Sequence, residues 1–410
     1  MPEFLNLKPP TEALNLLVSN VTFLPKPETI PAADGLGRVL FSPILAGYPL
    51  PSFRRSTVDG FAVRAEDTFG ASESLPAYLP LVGEVPMGAA PEFHLKKGWC
   101  ATIHTGGMLP EDANAVIMIE HTQQAREGEV ELLRSVAVGE NVLQIGEDVK
   151  QDAEVIPAGT VIRPAEIGGM MALGVSKIQV AARPRVGIIS SGDEVVPPDA
   201  EIAPGKVRDV NSYTLQALVR QAGGEPVLYG IASDQKDDLE NLIREAHRDC
   251  DLVVVTAGSS ASARDLTALV IDDLGKPGVL VHGVNIRPGK PTILGVCDGK
   301  PVIGLPGNPV SALVIAGIFV VPIIKKMLGQ VTNKTQPVVE ARLKVNLSSQ
   351  AGREDWVAVK LDEENGHLHA DPVFGKSNLI FTLARADGLV KIPADANGIP
   401  AGEQVQVFLM

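Results

Sequence analysis

The chain has 410 residues, carries a net charge of −13 and is 45% hydrophobic. At roughly 100–200 residues per domain, that length predicts about two to four domains with a sizeable buried core, and the hydrophobic share excludes a disordered chain. The acidic balance excludes a general nucleic-acid binder, which needs a basic footprint. It leaves room for a small anionic substrate, because a site's local field can oppose the net charge.

The 40 Gly and 32 Pro exceed the roughly 12% these two residues usually supply together, and with no three-residue period they exclude a collagen-like chain. Cys100, Cys250 and Cys297 are isolated and form no C-x-x-C. Neither a disulfide framework nor a thiolate zinc site is supported, which fits a reducing compartment. The first 19 residues lack the charged-then-apolar pattern of a signal peptide. The most apolar stretch, 312–324, is interrupted by Pro322 and falls short of the ~20 residues needed to span a bilayer. A buried helix in a cytoplasmic protein that uses no membrane is the expectation.

In chain order, residues 1–50 contain one good helix, with Thr11 as its expected cap and Ala13, Leu14, Leu17 and Val18 on one side. A second helix is expected over 32–40, before the Pro-rich run Tyr48-Pro49-Leu50-Pro51. Residues 52–141 read as β, with strands over 81–85, 115–120 and 130–135 and a turn at Arg126-Glu127-Gly128-Glu129. Mixed structure returns over 142–181, with a helix expected at 162–173.

Short apolar strands then alternate with amphipathic helices. Strands are expected at 186–189, 227–231 and 252–255, then near 279–281, 292–296 and 302–305. Leu215, Leu218, Val219 and Ala222 follow helical spacing behind Asn211 as N-cap, and so do Leu239, Leu242, Ile243 and Ala246. A further helix is expected near 265–274 and an apolar one from Pro309. The alternation predicts a parallel α/β sheet covered on both faces. From about 331 the chain reads as β again, over 338–343, 356–361, 389–392 and 405–409, with Glu364-Asn365-Gly366 marking a hairpin.

Ligands of open parallel sheets bind outside the carboxyl ends of the strands. Three predicted strands end there in small-residue turns: Ser190-Ser191-Gly192-Asp193-Glu194, Thr256-Ala257-Gly258-Ser259-Ser260-Ala261-Ser262 and Pro306-Gly307-Asn308-Pro309. Such turns let backbone N–H groups approach an oxyanion, and a following helix dipole favours negative charge. In the third, Asn308 suits an N-cap, Pro309 the first helical position and Gly307 an unusual backbone angle. Just upstream, Asn285-Ile286-Arg287-Pro288-Gly289-Lys290-Pro291 sets two cations three residues apart in a proline-stiffened loop. Arg can hold a phosphate bidentately and Lys acts as a point charge, so the pair suggests a phosphorylated ligand. Loop carboxylates form a second set: Asp59, Asp148, Glu194, Asp234 and Asp265. Acids in such contexts are most often turn or cap residues, but with a phosphorylated substrate their oxygens would suit Mg²⁺. No P-loop, G-x-S-x-G or H-E-x-x-H motif occurs.

These residues together resemble the molybdopterin molybdenumtransferases, the MoeA and gephyrin E-domain family. The most specific match is Gly304-Leu305-Pro306-Gly307-Asn308-Pro309-Val310-Ser311-Ala312. It is supported, in the family's order, by Ser56-Thr57-Val58-Asp59-Gly60-Phe61, Thr105-Gly106-Gly107, Gly146-Glu147-Asp148, Ser191-Gly192-Asp193-Glu194, Asp209-Val210-Asn211 and Ile286-Arg287-Pro288-Gly289-Lys290-Pro291. The resemblance implies a multidomain α/β-plus-β architecture. Residues 1–51 and 142–181 would form a discontinuous N-terminal or hinge domain around an inserted β domain at 52–141. Residues 182–330 would form a MogA-like, parallel-sheet pterin-binding domain, and 331–410 a small C-terminal β-barrel.

It further implies insertion of molybdate into adenylylated molybdopterin, with Mg²⁺ as cofactor and release of AMP, in a homodimer whose cleft is completed by the partner's β domain. Carried over by position, Asp59, Asp148, Glu194 and Asp265 would be the catalytic acids, with Asp148 and Asp265 nearest the Mg²⁺. Thr105, Asp234, Ser260, Arg287, Lys290, Pro306, Gly307, Asn308 and Pro309 would bind substrate, and Ser377 matches a hydroxyl residue of the last domain. The family's Gly-Gly-Val-Ser-Val-Gly-acid-x-Asp run departs here to Ala257-Gly258-Ser259-Ser260-Ala261-Ser262-Ala263-Arg264-Asp265. Loss of the acid at Ala263 keeps open a non-catalytic pterin-binding scaffold. A molybdopterin adenylyltransferase is the other alternative, although that domain normally lacks the flanking β domains. Molybdate and tungstate are not distinguished.

Overall fold

The computed structural model describes residues 7–257, 261–331 and 338–410. Its middle third is a six-stranded sheet flanked by helices. In chain order these are β1 (Arg185–Ser191), α1 (Asn211–Gln221), β2 (Glu225–Ala232), α2 (Lys236–Asp249), β3 (Leu252–Ala257), α3 (Ala261–Leu274), β4 (Pro277–His282), β5 (Ile293–Cys297), β6 (Lys300–Pro306) and α4 (Pro309–Met327). The strand order is β2-β1-β3-β6-β5-β4. The first four are parallel, whereas β6, β5 and β4 pair antiparallel, so the sheet is mixed rather than wholly parallel. An apolar run carries no direction, but Asp298-Gly299 between β5 and β6 does. Both residues have positive φ, 51° and 82°, the signature of a two-residue hairpin turn.

Successive strand residues point to opposite faces, and each face has its own core. Val186, Ile188, Leu252 and Val254 pack against Leu215 and Val219 of α1 and against Phe319, Val320 and Ile323 of α4. Val253, Val255 and Val302 pack on the other side against Leu239 and Ile243 of α2 and Val270 and Ile271 of α3. The helix α4 is long and apolar enough to cross a membrane by length and composition. Its buried positions, on the sheet and α1, account for that composition.

The N-terminal helix spans Pro10–Asn20 and sends Ala13 and Leu17 into the first of these cores. It begins with Pro10 rather than with a Thr11 cap: Pro9 holds the cap position and no side chain caps the end. Proline's fixed φ is already helical, and its missing N–H is not needed in the first turn. Over 32–40 only Ala32–Asp34 forms a 3₁₀ turn, because Gly35 follows and Gly37 turns left-handed at φ 73°. Nearby segments close in antiparallel pairs: Pro27–Pro31 with Lys177–Ala181, Ile44–Leu45 with Glu154–Ile156 and Arg55–Ser56 with Val142–Leu143. Between the last two lies a separate six-stranded sheet, in spatial order Ala115–Met118, Gly60–Val63, Cys100–Ile103, Ala77–Glu84, Glu129–Leu132 and Thr122–Arg126.

The C-terminal strands close a five-stranded barrel. Glu354–Glu364, His367–Pro372, Val338–Leu343, Gln404–Leu409 and Gly388–Ile392 pair in that order, and the last returns to the first. The expected hairpin is present, with Asn365 and Gly366 at φ 54° and 74°. All three cysteines are free and buried. Burial pushes the Cys100 and Cys297 thiols up to about 12, which keeps them protonated and unreactive.

Candidate active site at the junction of the sheet and the barrel

The basic loop is held at both ends. After β4, Ile286–Arg287 leaves the sheet and adds a short parallel strand to the barrel, pairing Ile286 with Glu354 and Arg287 with Asp355. The Glu354 N–H donates to the Asn285 carbonyl at 3.1 Å, and the Asn285 side chain donates to the Gly352 carbonyl. Gly289 is buried at φ 113°, so close to α4 that a Cβ there would lie 2.2 Å from Ile315 Cγ1. The Thr292 hydroxyl donates to the Gly289 carbonyl at 2.6 Å. Lys290 therefore emerges from a fixed turn, exposed and without an ion pair among the described residues.

Asp355 lies beneath the loop with its side chain 4% exposed. It accepts from Arg353 at 2.8 and 3.2 Å, a bidentate contact, and Arg287 Nη1 lies 3.8 Å away. One buried carboxylate thus orients an arginine from each of two domains. Arg353 was not singled out from the sequence, because its relation to Arg287 is made only by the long-range strand pairing.

On the opposite wall, Asn308 holds the cap position of α4 without spending its side chain on capping, and Pro309 starts the helix as expected. The Val310 N–H donates to the Ser377 carbonyl at 3.0 Å, which ties the barrel loop to α4. The Asn211 side chain donates to the Gly307 carbonyl at 2.8 Å. Between these elements lies a cleft of about 1230 Å³. Arg287, Lys290, Pro306, Asn308, Arg353 and Ser377 are among its lining residues. Its charged lining comprises four cations (Lys376 is the fourth) and one carboxylate, Asp355, in a chain whose net charge is −13.

The remaining expected residues lie elsewhere. Asp193 Oδ1 accepts from the Asp234 N–H at 3.1 Å, so the turn with Glu194 adjoins Asp234 at the ends of β1 and β2. A pocket of about 540 Å³ opens there, lined by Gly192, Asp193, Asp209, Ser212 and Ser233 among others. Asp265 is exposed in α3, and Ser260 falls outside the described residues. Asp148 lines a third pocket, of about 600 Å³, with Arg55 and Glu147. In the inserted sheet, Asp59 Oδ1 accepts from the Thr105 N–H at 2.7 Å and its hydroxyl at 3.1 Å. None of Asp59, Thr105, Asp148, Glu194, Asp234 or Asp265 lines the cationic cleft.

The Thr105 N–H, foremost, holds the exposed Asp59 carboxyl below its ordinary value of 3.8. A depressed carboxylate keeps its hydrogen bonds above the ordinary value and loses them as pH falls through the folded one. The Thr105 amide proton is therefore expected to hold its downfield NMR shift from pH 7 to about 4 and to move only below that. A midpoint above 3.8 would contradict this contact.

Among the described residues no group of three His, Cys, Asp or Glu is arranged to hold a metal ion. The expected pair Asp148 and Asp265 shares neither the Asp148 pocket nor the cationic cleft. What the described residues present is single carboxylates or a pair such as Glu147 and Asp148, not a preformed metal cage.

The fold and the cleft together define a multidomain α/β protein with a cationic cleft beside the end of β6. Family models described as MoeA N-terminal region (domain I and II), probable molybdopterin binding domain and MoeA C-terminal region (domain IV) match residues 8–174, 187–326 and 340–410. A putative molybdopterin biosynthesis protein of Methanocaldococcus jannaschii is 37% identical, over 94% of this chain and 92% of its own length. Molybdopterin molybdenumtransferase 2 of Mycobacterium tuberculosis is 33% identical, over 93% and 95%. A crystal structure of the molybdopterin biosynthesis MoeA protein from Pyrococcus horikoshii superposes with a TM-score of 0.87 at 33% identity, covering 99% of this chain and all of that one. The chain belongs to the MoeA family.

Proposed function

We propose that this chain is a molybdopterin molybdenumtransferase, which inserts molybdate into adenylylated molybdopterin with release of AMP as the final step of molybdenum cofactor biosynthesis. The observation that carries the reading is the cationic cleft between sheet and barrel, in an acidic chain similar along nearly its whole length to transferases of that name. Molybdate is a dianion, and the diphosphate of an adenylylated pterin is negative as well. Arg287, Lys290 and Arg353 gather these charges. The turn Pro306-Gly307-Asn308-Pro309 offers backbone and amide groups at the positive end of α4. Hydrolysis of the anhydride linking AMP to the pterin phosphate releases AMP, and the two dithiol sulfurs bind molybdenum as one molybdate oxygen leaves as water with the two thiol protons.

Asp59, Asp148, Glu194 and Asp265 are proposed as catalytic acids. A homodimer in which the inserted sheet of a second copy faces the cleft would bring Asp59 and Thr105 to cations they do not meet within one chain. Mg²⁺ is proposed as cofactor, held by Asp265 or Asp148. That ion characteristically binds one or two carboxylates, substrate phosphates and several waters, so single carboxylates suit it. The three free, buried thiols suit a reducing compartment such as the cytoplasm.

The test is AMP release by the purified chain given adenylylated molybdopterin and molybdate, with tungstate compared. Release that depends on the oxyanion is expected. Binding of the pterin without release would leave the scaffold reading in its place.

A further inference from the structure

The turns after β1 and β6 border cavities, and one short segment at the start of α1 ties both of them to the end of β3. Asp209 Oδ1 accepts from the Ser212 N–H at 3.0 Å and from the Ser190 hydroxyl at 2.9 Å. The Ser190 and Ser212 hydroxyls are 3.0 Å apart, and the Thr256 hydroxyl donates to Ser190 at 3.3 Å. Ser190 and Thr256 are the last residues but one of β1 and β3, and all four residues are buried. Val210, not Asn211, therefore holds the cap position of α1, Asp209 supplies the side-chain acceptor for the first turn, and Asn211 is the first helical residue.

Its side chain is thereby free for another task. Asn211 is 8% exposed, and its Nδ2 reaches across 96 residues of sequence to the Gly307 carbonyl. That acceptor fixes the orientation of the amide. Its Oδ1 is left buried with no partner among the described residues. An orphaned acceptor is destabilising relative to an apolar filler, so stability alone does not account for an asparagine here.

We propose that Asp209 and Asn211 are positioning residues that hold the turns after β1 and β6 in register for the pterin nucleotide. Asp209 secures the first through Ser190, which Thr256 of β3 braces, and Asn211 secures the second through Gly307. Neither is assigned a reacting atom. The inference rests on the reading of the cleft as the adenylylated-pterin site.

Asn211→Asp tests it, because the variant keeps the shape and turns a carboxylate oxygen toward the Gly307 carbonyl. The KM for adenylylated pterin is expected to rise about tenfold while kcat changes less than about threefold, a loss of binding rather than of chemistry. A merely structural role would lower the melting temperature and leave KM unchanged. Ser190→Ala loosens the network from its other end and is read the same way, and it serves alone if Asn211→Asp does not fold. Stabilisation by adenylylated pterin in thermal melts gives a second readout that needs no turnover. Wild-type and variant proteins gaining equal stabilisation, with equal KM, would overturn the proposal. A wild-type chain that is stabilised but releases no AMP would defeat the enzymatic reading and leave this one standing.

Discussion

Replacing Arg287 and Lys290 together by Ala is expected to lower kcat/KM for molybdate insertion by about a thousandfold. Hydrogen bonds to charged groups contribute about 1.5–3 kcal/mol each, so two of them amount to about 4 kcal/mol, or roughly three powers of ten in rate. The fold should survive. Arg287 is 65% exposed and stands 3.8 Å from Asp355, a geometry worth about 0–1 kcal/mol in solvent. Asp355 keeps its bidentate partner Arg353 in the variant, so no buried charge is abandoned. Arg353→Ala would be a poorer experiment for that reason, since it removes the main partner of a carboxylate that is 4% exposed. The measurement is AMP release against molybdate and pterin concentration, beside a thermal melt. A melting temperature near the wild-type value with a loss below about tenfold would show that these cations do not gather the substrate's charge. The wild-type KM for molybdate should also rise with ionic strength, because exposed cations are screened.

Much of this site is legible along the chain because it is local. The turns after β1 and β6 follow short β-branched runs, and Gly307, Asn308 and Pro309 each have one reason to stand where they do. The basic loop is legible for the same cause. What is not legible depends on partners far apart in sequence. Arg353 becomes part of the site only because Arg287 pairs with Asp355 across the domain junction. Asn211 looks like a cap until Asp209 is seen to supply the acceptor for the first turn and Gly307 to take the amide. The antiparallel edge of the sheet was readable in principle from Asp298-Gly299, yet strand alternation masks so short a hairpin. Acids in Gly-rich turns carry the weakest signal of all. Asp59, Asp148 and Asp265 lie in similar surroundings in the sequence, and the fold distributes them over an inserted sheet, a separate pocket and a helix.

Gly289→Ala is expected to cost nearly as much activity as removing the cations, although it leaves both in the chain. Two separate penalties meet at this residue. Its φ of 113° lies where an L side chain is strained, at about 1–3 kcal/mol. Its new Cβ would also lie 2.2 and 2.3 Å from Cγ1 and Cδ1 of Ile315. Ile315 is fully buried in α4, and a β-branched helical residue has essentially one rotamer to offer, so it cannot turn aside. Overpacking of this kind costs about 1–3 kcal/mol more. The loop is the cheaper element to move, since it is bounded by exposed Arg287 and Lys290 whereas Ile315 belongs to the main core. Relief therefore displaces the cations from the turn at Pro306–Pro309. The expected result is a fall in kcat/KM of about a hundredfold or more, with a stability loss of about 2–6 kcal/mol. The double variant with Ile315→Ala separates the two penalties. It makes room for the methyl group but leaves the backbone angle strained, so activity should recover in part and the double variant should lose less stability than the two single losses added. Full activity in Gly289→Ala despite a lowered melting temperature would mean that the loop tolerates displacement, and that the cations act through reach rather than through a fixed position against α4.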